Sequence, residues 1–125
     1  MQIIKSFFER WGWSVLMMGV IFAFSSIPGK DLPNFGSVDY WLKKGGHMLG
    51  YGLLALTYWR GLGRDKKWLW LAWLLAVLYA ITDEFHQSFV AGRHPSPIDV
   101  FLFDGGGSAI ALWISTRFVK SGALA

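Results

Sequence analysis

The chain has 125 residues, of which 54% are hydrophobic, 18% aromatic and only 16% charged, with a net charge of +4. A soluble domain carries about 25% charged residues. Here the apolar residues come in long blocks with few periodic polar positions to face water, which argues against a water-soluble helical bundle. There are no cysteines, which excludes a disulfide framework and thiolate metal sites. The Lys and Arg residues flank apolar blocks without forming a basic stripe, which argues against nucleic acid as a partner.

Four spans are predicted, each close to the ~20 residues a helix needs to cross the hydrocarbon of a bilayer. The first runs from Phe7 to Ser26. Lys5 and Arg10 give this end some likeness to a signal peptide, but no small-x-small cleavage site follows, so it is read as a span. A turn-rich loop, Pro28 to Ser37, comes next. The second span, Gly45 to Leu62, is the least apolar, with Gly45, Gly46, Gly50, Gly52 and His47 inside it. Gly46-x-x-x-Gly50 reads as a site of close helix packing. The short loop Gly63 to Lys66 implies that spans two and three form an antiparallel hairpin. The third span, Trp68 to Phe89, ends in Thr82-Asp83-Glu84-Phe85-His86-Gln87. A loop with Pro95 and Pro97 leads into the fourth span, Ile98 to Phe118. Gly105-Gly106-Gly107 is read as a packing or flexible site, since no Lys-Ser/Thr follows to make a phosphate loop. There is no internal repeat or linker. The expected fold is therefore all-α: one domain over residues 1–125, an integral membrane bundle of four transmembrane helices.

Orientation follows from the cations. With a cytoplasmic N-terminus, the inner segments hold Lys5, Arg10, Arg60, Arg64, Lys66, Lys67, Arg117 and Lys120; the outer ones hold Lys30, Lys43, Lys44 and Arg93. Eight against four places both termini inside. Trp11, Trp13, Trp59, Trp68 and Trp70 are then expected in an inner aromatic belt, and Tyr40 and Trp41 in an outer one. Membrane lipid is the implied partner.

This topology sorts the unusual residues to the outer half: His47, His86 and His94, and six of the eight acids, Asp31, Asp39, Asp83, Glu84, Asp99 and Asp104. A charge inside a span costs ~2.5–3.5 kcal/mol on insertion scales, so a retained cluster points to use. Asp83 lies fifteen residues beyond Trp68, ~22 Å up a straight helix at 1.5 Å per residue, and needs a partner there; Lys44, Arg93 and His47 are candidates. Lys44, His47 and Tyr51 share one face of the second span, and Asp83, His86 and Gln87 one face of the third. Glu84 points about 100° away. Glu84 and His94 are read as solvated or interfacial, and Ser25, Ser26 and Tyr51 equally well as ties between helices. Asp99 begins the fourth span.

Together these residues resemble the VanZ-like family of small bacterial membrane proteins. The matching pieces are Phe24-Ser25-Ser26-Ile27-Pro28-Gly29, Lys44-x-x-His47-x-x-x-Tyr51, Tyr79, Thr82 to Phe89, Gly92-Arg93, Ser96 and Asp99-Val100. They come in the family's order and cover about Ile21 to Gly107. One position departs. The family tends to place Asn or Asp four residues after the Asp that opens the last span; here Phe103 stands there and Asp104 follows. Either the last helix carries a local irregularity or that polar role is lost. The resemblance implies a multi-pass protein of the bacterial cytoplasmic membrane, in a family whose namesake is linked to resistance to teicoplanin, a lipoglycopeptide acting at the outer surface.

Three functions suit these residues. In an enzyme acting on a lipid-linked substrate, Asp83, His86, His47 and Asp99 are the candidate acid, base and orienting groups. Lys44 and Arg93 would then clamp an anion, with Gln87, Tyr51, Ser26 and Glu84 as further ligand contacts. In a binding protein without chemistry, the same groups hold a lipid headgroup, cell-wall precursor or glycopeptide. A proton-coupled carrier is the third reading, weakened by the absence of a second polar cluster toward the inner side. His47, His86, Asp83 and Asp99 are N/O ligands of the kind zinc accepts, but no two histidines share the i, i+4 spacing of a helical zinc motif, so neither metal nor cofactor is assigned.

The charge asymmetry makes a testable prediction. In this cysteine-free chain, single cysteines at Gly36 and Gly92 should react with an impermeant thiol reagent on intact cells, and one at Asp65 should not. Labelling at position 65 would reverse the orientation.

Overall fold

A computed structural model of the protein describes residues 2–32, 34–93 and 96–118. Four long helices account for most of the described residues, and no strand occurs among them. They are α1 (Gln2–Ser25), α2 (Asp39–Gly61), α3 (Leu69–Gln87) and α4 (Pro97–Phe118). Three helical segments are long and apolar enough to cross a membrane: Gln2–Ser25, Lys66–Gln87 and Pro97–Phe118. The chain is thus an all-helical membrane protein. Large apolar side chains point outward along the helices, among them Phe7, Trp13, Phe22, Leu49, Phe85 and Trp113. A water-soluble protein rarely exposes so continuous an apolar surface.

α2 is the exception to that apolar rule. It packs against each of the other three helices, most extensively against α4. Tyr51, Leu54, Ala55, Tyr58 and Trp59 of α2 form the centre of the core, with Ala72, Ala76 and Ala80 of α3 and Leu112 of α4. The half of α2 from Tyr51 to Gly61 is enclosed by the other helices, whereas the half before it, with most of its glycines and its lysines, is more exposed. α2 also begins earlier than the expected Gly45. Asp39 at its first position pairs with Lys43 one turn later at 2.8 Å and accepts the Phe35 backbone N–H at 3.2 Å. An acid in the first turn complements the helix dipole, so the helix extends outward to carry Tyr40, Lys43 and Lys44.

Glycine placement corrects one expectation. Gly46 and Gly50 do not mediate close packing: a Cβ at either would meet nothing within 4 Å. The close approach is made by Gly52 and Gly107 instead. A Cβ on Gly107 would lie 2.5 Å from the carbonyl oxygen of Met48, and one on Gly52 3.1 Å from the Ala111 Cβ. Part of the glycine triplet is therefore a packing site between α2 and α4. Trp59 has a structural role. It is buried against the other helices, and its indole N–H donates to the Asp65 carbonyl at 2.9 Å, closing the turn between α2 and α3. Trp11 lies against Gly61, leaving no room for a side chain there.

α4 is not a regular α-helix. Its second turn, Val100–Gly105, is a π-helical segment of six residues. The wider turn alters the α-helical ladder, and side chains from α3 and from α4 itself bond carbonyls there. The Trp73 indole donates to Gly105 O at 2.9 Å, and the Ser108 hydroxyl lies 2.8 Å from Asp104 O.

Gly107→Ala should force α2 and α4 apart, because the obstructing atoms are backbone and cannot rotate away. The expected loss is ~1–3 kcal/mol, as for an overpacked core, read as a lower thermal midpoint in detergent. Gly45→Ala, which meets open space, should leave the midpoint unchanged or raise it through better helix propensity. Equal behaviour of the two variants would refute this assignment of the packing glycine.

Candidate functional site

The ends of the helices that carry the acids and histidines meet at one pole of the bundle. Between α2, α3, α4 and the loop before α4 they enclose a cavity of about 390 Å³. Lys43, Lys44 and His47 line it from α2, Asp83, Glu84 and Gln87 from α3, Arg93 and Ser96 from the loop, and Asp99, Phe103 and Asp104 from α4.

Asp83 is the most enclosed of these groups, with only 4% of its surface exposed. Its Oδ2 accepts the Tyr51 hydroxyl at 2.8 Å and the Gln87 amide at 3.2 Å. The same amide reaches Ser25 Oγ at 3.2 Å. Three helices are thereby joined through one carboxylate. Asp83 Oδ1, in contrast, has no hydrogen-bond partner among the described residues although it is buried. An unpaired buried carboxylate oxygen is expensive, and the residue that carries it stands in the wall of the cavity.

The cations are engaged already. Lys44 reaches across to Asp99 at 2.5 Å, with its ammonium 5.6 Å from the centre of the Tyr40 ring and 5.5 Å from that of Phe103. Lys43 is held by Asp39. Arg93 donates from Nε to Ile27 O at 2.9 Å and from Nη2 to Phe24 O at 2.6 Å. It thus caps the C-terminus of α1, where carbonyls lack helical partners and the dipole favours a cation. Burial lowers the Arg93 pKa from its ordinary value, and the Asp83 carboxylate opposes the shift; the guanidinium stays charged.

His47 and Asp104 form a second pair, Nδ1 to Oδ1 at 3.3 Å. The π turn makes this possible. In a regular α-helix, Asp104 would sit about 140° around the axis from Asp99, five residues at 100° each. The wider turn returns it to the side that Asp99 faces, and both line the cavity. Of the two readings open for Asp104, the local irregularity is the one observed.

The cavity does not gather every expected residue. His86 lies on the side of α3 that faces α1, with Nε2 2.9 Å from Ser26 Oγ and its ring stacked on Phe22 at 4.3 Å. It does not line the cavity with Asp83, although the two are three residues apart. Ser26 goes with it. The cavity-facing stripe of α3 is Ala80, Asp83, Glu84 and Gln87, an i, i+3, i+4, i+7 face. Glu84 thus enters the site from which His86 is turned away. Tyr51 touches the site from beneath through Asp83. Ser25 and Asp104 are the residues that sequence reasoning undervalued; the i, i+3, i+4, i+7 stripe was a signal for Glu84, and the one-residue displacement of the acid from position 103 to Asp104 was the signal for the π turn. His94 lies outside the described residues. Among those residues no three of His, Asp and Glu converge as metal ligands would.

The geometry of Arg93 predicts a structural cost for a conservative change. Arg93→Lys keeps the charge beside Asp83, but an ammonium cannot reproduce the planar fork across two carbonyls. Loss of one such bond should cost ~1–3 kcal/mol, seen as a lower thermal midpoint and faster proteolysis in the segment after α1. An unchanged midpoint and cleavage pattern would show that the guanidinium does not hold the end of α1.

Comparison with known proteins returns no match among curated proteins and none among solved structures. A family model does match, and it spans residues 7–119, from the first turns of α1 to the end of α4. It includes every residue of the cavity, and on that match the chain belongs to the VanZ/LLP1 family.

Proposed function

We propose that this protein crosses the bacterial cytoplasmic membrane four times, with both termini inside, and uses its cavity at the outer interface to bind a lipid-linked or cell-envelope amphiphile. The headgroup is one that presents hydrogen-bond donors, hydroxyls or an ammonium. A single observation carries this reading: the cavity's lysines and arginine are paired within the protein, whereas Asp83 Oδ1 and the Glu84 carboxylate lack partners among the described residues. Five carboxylates line the cavity against three basic side chains and one histidine. Such a lining favours donors over anions, so the anion clamp expected of Lys44 and Arg93 gives way to a carboxylate-lined site. Low local dielectric strengthens each hydrogen bond made to Asp83. Kinship with a family whose namesake is linked to teicoplanin resistance extends the proposal to protection against a lipoglycopeptide, which carries hydroxyls at the outer surface.

One observation favours a second reading, an enzyme on the same ligand. The Asp104 carboxylate at His47 Nδ1 favours the tautomer that leaves Nε2 as proton acceptor. Asp83 and His86 do not supply that pair, since they face different sides of α3. Turnover lost in His47→Gln with binding retained would identify His47 as the base.

The test uses methyl glucosaminide, which carries both hydroxyls and an ammonium, and inorganic phosphate as the competing chemistry. Purified protein in lipid nanodiscs should bind the glucosaminide and not phosphate. Asp83→Asn and Glu84→Gln should each weaken binding about tenfold or more, the scale of one charge-assisted hydrogen bond. Binding of phosphate but not of glucosaminide would overturn the proposal and restore the anion clamp.

A further inference from the structure

A second concavity, of about 240 Å³, runs between α1 and α2. Met17, Val20 and Ile21 form its α1 wall, and Leu49 and Leu53 its α2 wall. Gly46 and Gly50 line it where side chains would otherwise fill the space. His47 and Arg93 belong to both this groove and the polar cavity. The two concavities therefore adjoin, one polar and one apolar, divided by two side chains.

We propose that this groove seats the hydrocarbon chain of the amphiphile whose headgroup enters the cavity, so that one ligand passes across His47 and Arg93 and occupies both. The inference rests on the headgroup reading above and adds to it the ligand's class: a single-site lipid with a donor-bearing headgroup, not a soluble glycan or peptide. Three observations support a chain rather than another occupant. Gly46-x-x-x-Gly50 has the spacing of a helix-packing motif, yet no helix among the described residues packs on it. The groove's volume of about 240 Å³ suits a hydrocarbon chain and is small for a second copy's helix, about 10 Å across. Finally, the groove abuts the cavity at its polar end, the arrangement an amphiphile requires. Bulk lipid lacks any reason to be held there, since a chain gains little by leaving other chains. The groove's contribution is thus to orient a chain whose headgroup is already fixed.

The experiment uses dodecyl glucosaminide with a photoactivatable diazirine in the middle of its chain, on protein in nanodiscs. Peptide mapping by mass spectrometry reads the labelled positions. In the unmodified protein, label should fall on Met17, Leu49 and Leu53, and excess methyl glucosaminide should displace it. Gly50→Leu fills the groove without a backbone clash, and should reduce this label about tenfold, the effect of overpacking an occupied site. It should leave binding of methyl glucosaminide unchanged. Gly45→Leu, also in open space but outside the groove, controls for the substitution itself and should label normally. Label that survives Gly50→Leu, or that methyl glucosaminide cannot displace, would overturn the groove assignment while leaving the cavity reading intact. So would a change of oligomeric state in Gly50→Leu by light scattering, which would make the groove an interface between copies. Failure of the headgroup reading shows separately, as no binding of methyl glucosaminide to the unmodified protein.

Discussion

A carboxylate enclosed by a helical bundle must be given partners, and the partners of Asp83 come from across the molecule. Tyr51 of α2 and Gln87 of α3 donate to its Oδ2, and Gln87 passes the connection to Ser25 of α1. The core beneath is built to deliver them. Three alanines on one face of α3 allow α2 to come close, and that approach brings Tyr51 to the acid. Yet the arrangement stops one bond short, because Oδ1 is left without a partner among the described residues. A purely structural network would gain by closing on itself. A network that leaves a buried acceptor unpaired, on a residue of the cavity wall, keeps capacity for one further donor.

The irregular turn in α4 serves the same pole of the molecule. A π turn is less favourable than an α turn and is found mostly at functional positions. Here it aligns Asp104 with Asp99, so that each meets a basic group from α2: His47 in one case, Lys44 in the other. Phe103, displaced by one position, packs near the Lys44 ammonium. Carbonyls of the turn accept from Trp73 of α3 and from Ser108 of α4 itself, and Gly107 lets the following turn press against Met48. Substitutions far from the cavity, at Trp73 or Gly107, therefore bear on how His47 and Asp104 meet.

Arg93 shows how one residue type at one position can be read in two ways. A guanidinium beside several acids at a membrane interface reads naturally as a ligand clamp. In the folded protein one Nη bonds the Phe24 carbonyl near the end of α1 and Nε bonds Ile27 O in the turn just after it, which makes it a splint between the first helix and the last loop. Through that splint it also forms part of the boundary between the polar cavity and the apolar groove. Its charge shapes the field of the site even though part of its hydrogen-bonding capacity is used elsewhere.

The amino-acid sequence by itself determined the helical membrane class, three of the helix positions to within a few residues, the family, and the gathering of acids and histidines at one pole. Those follow from apolar block length, from the cost of charge in hydrocarbon, and from the antiparallel order that short loops impose. The tertiary structure alone decided which side chains face the cavity. Asp83 and His86 are three residues apart and share a broad face by spacing, but α3 is rotated so that its Ala80–Asp83–Glu84–Gln87 stripe faces α2 and α4 while His86 meets Ser26 and Phe22. That rotation is set by which small residues let which helices approach. Packing of this kind depends on pairs of residues far apart in the chain, as Gly107 against Met48 shows. The same holds for Gly46 and Gly50: their spacing is that of a packing motif, but only the positions of α1 and α4 reveal that none of the described residues packs there and a groove remains.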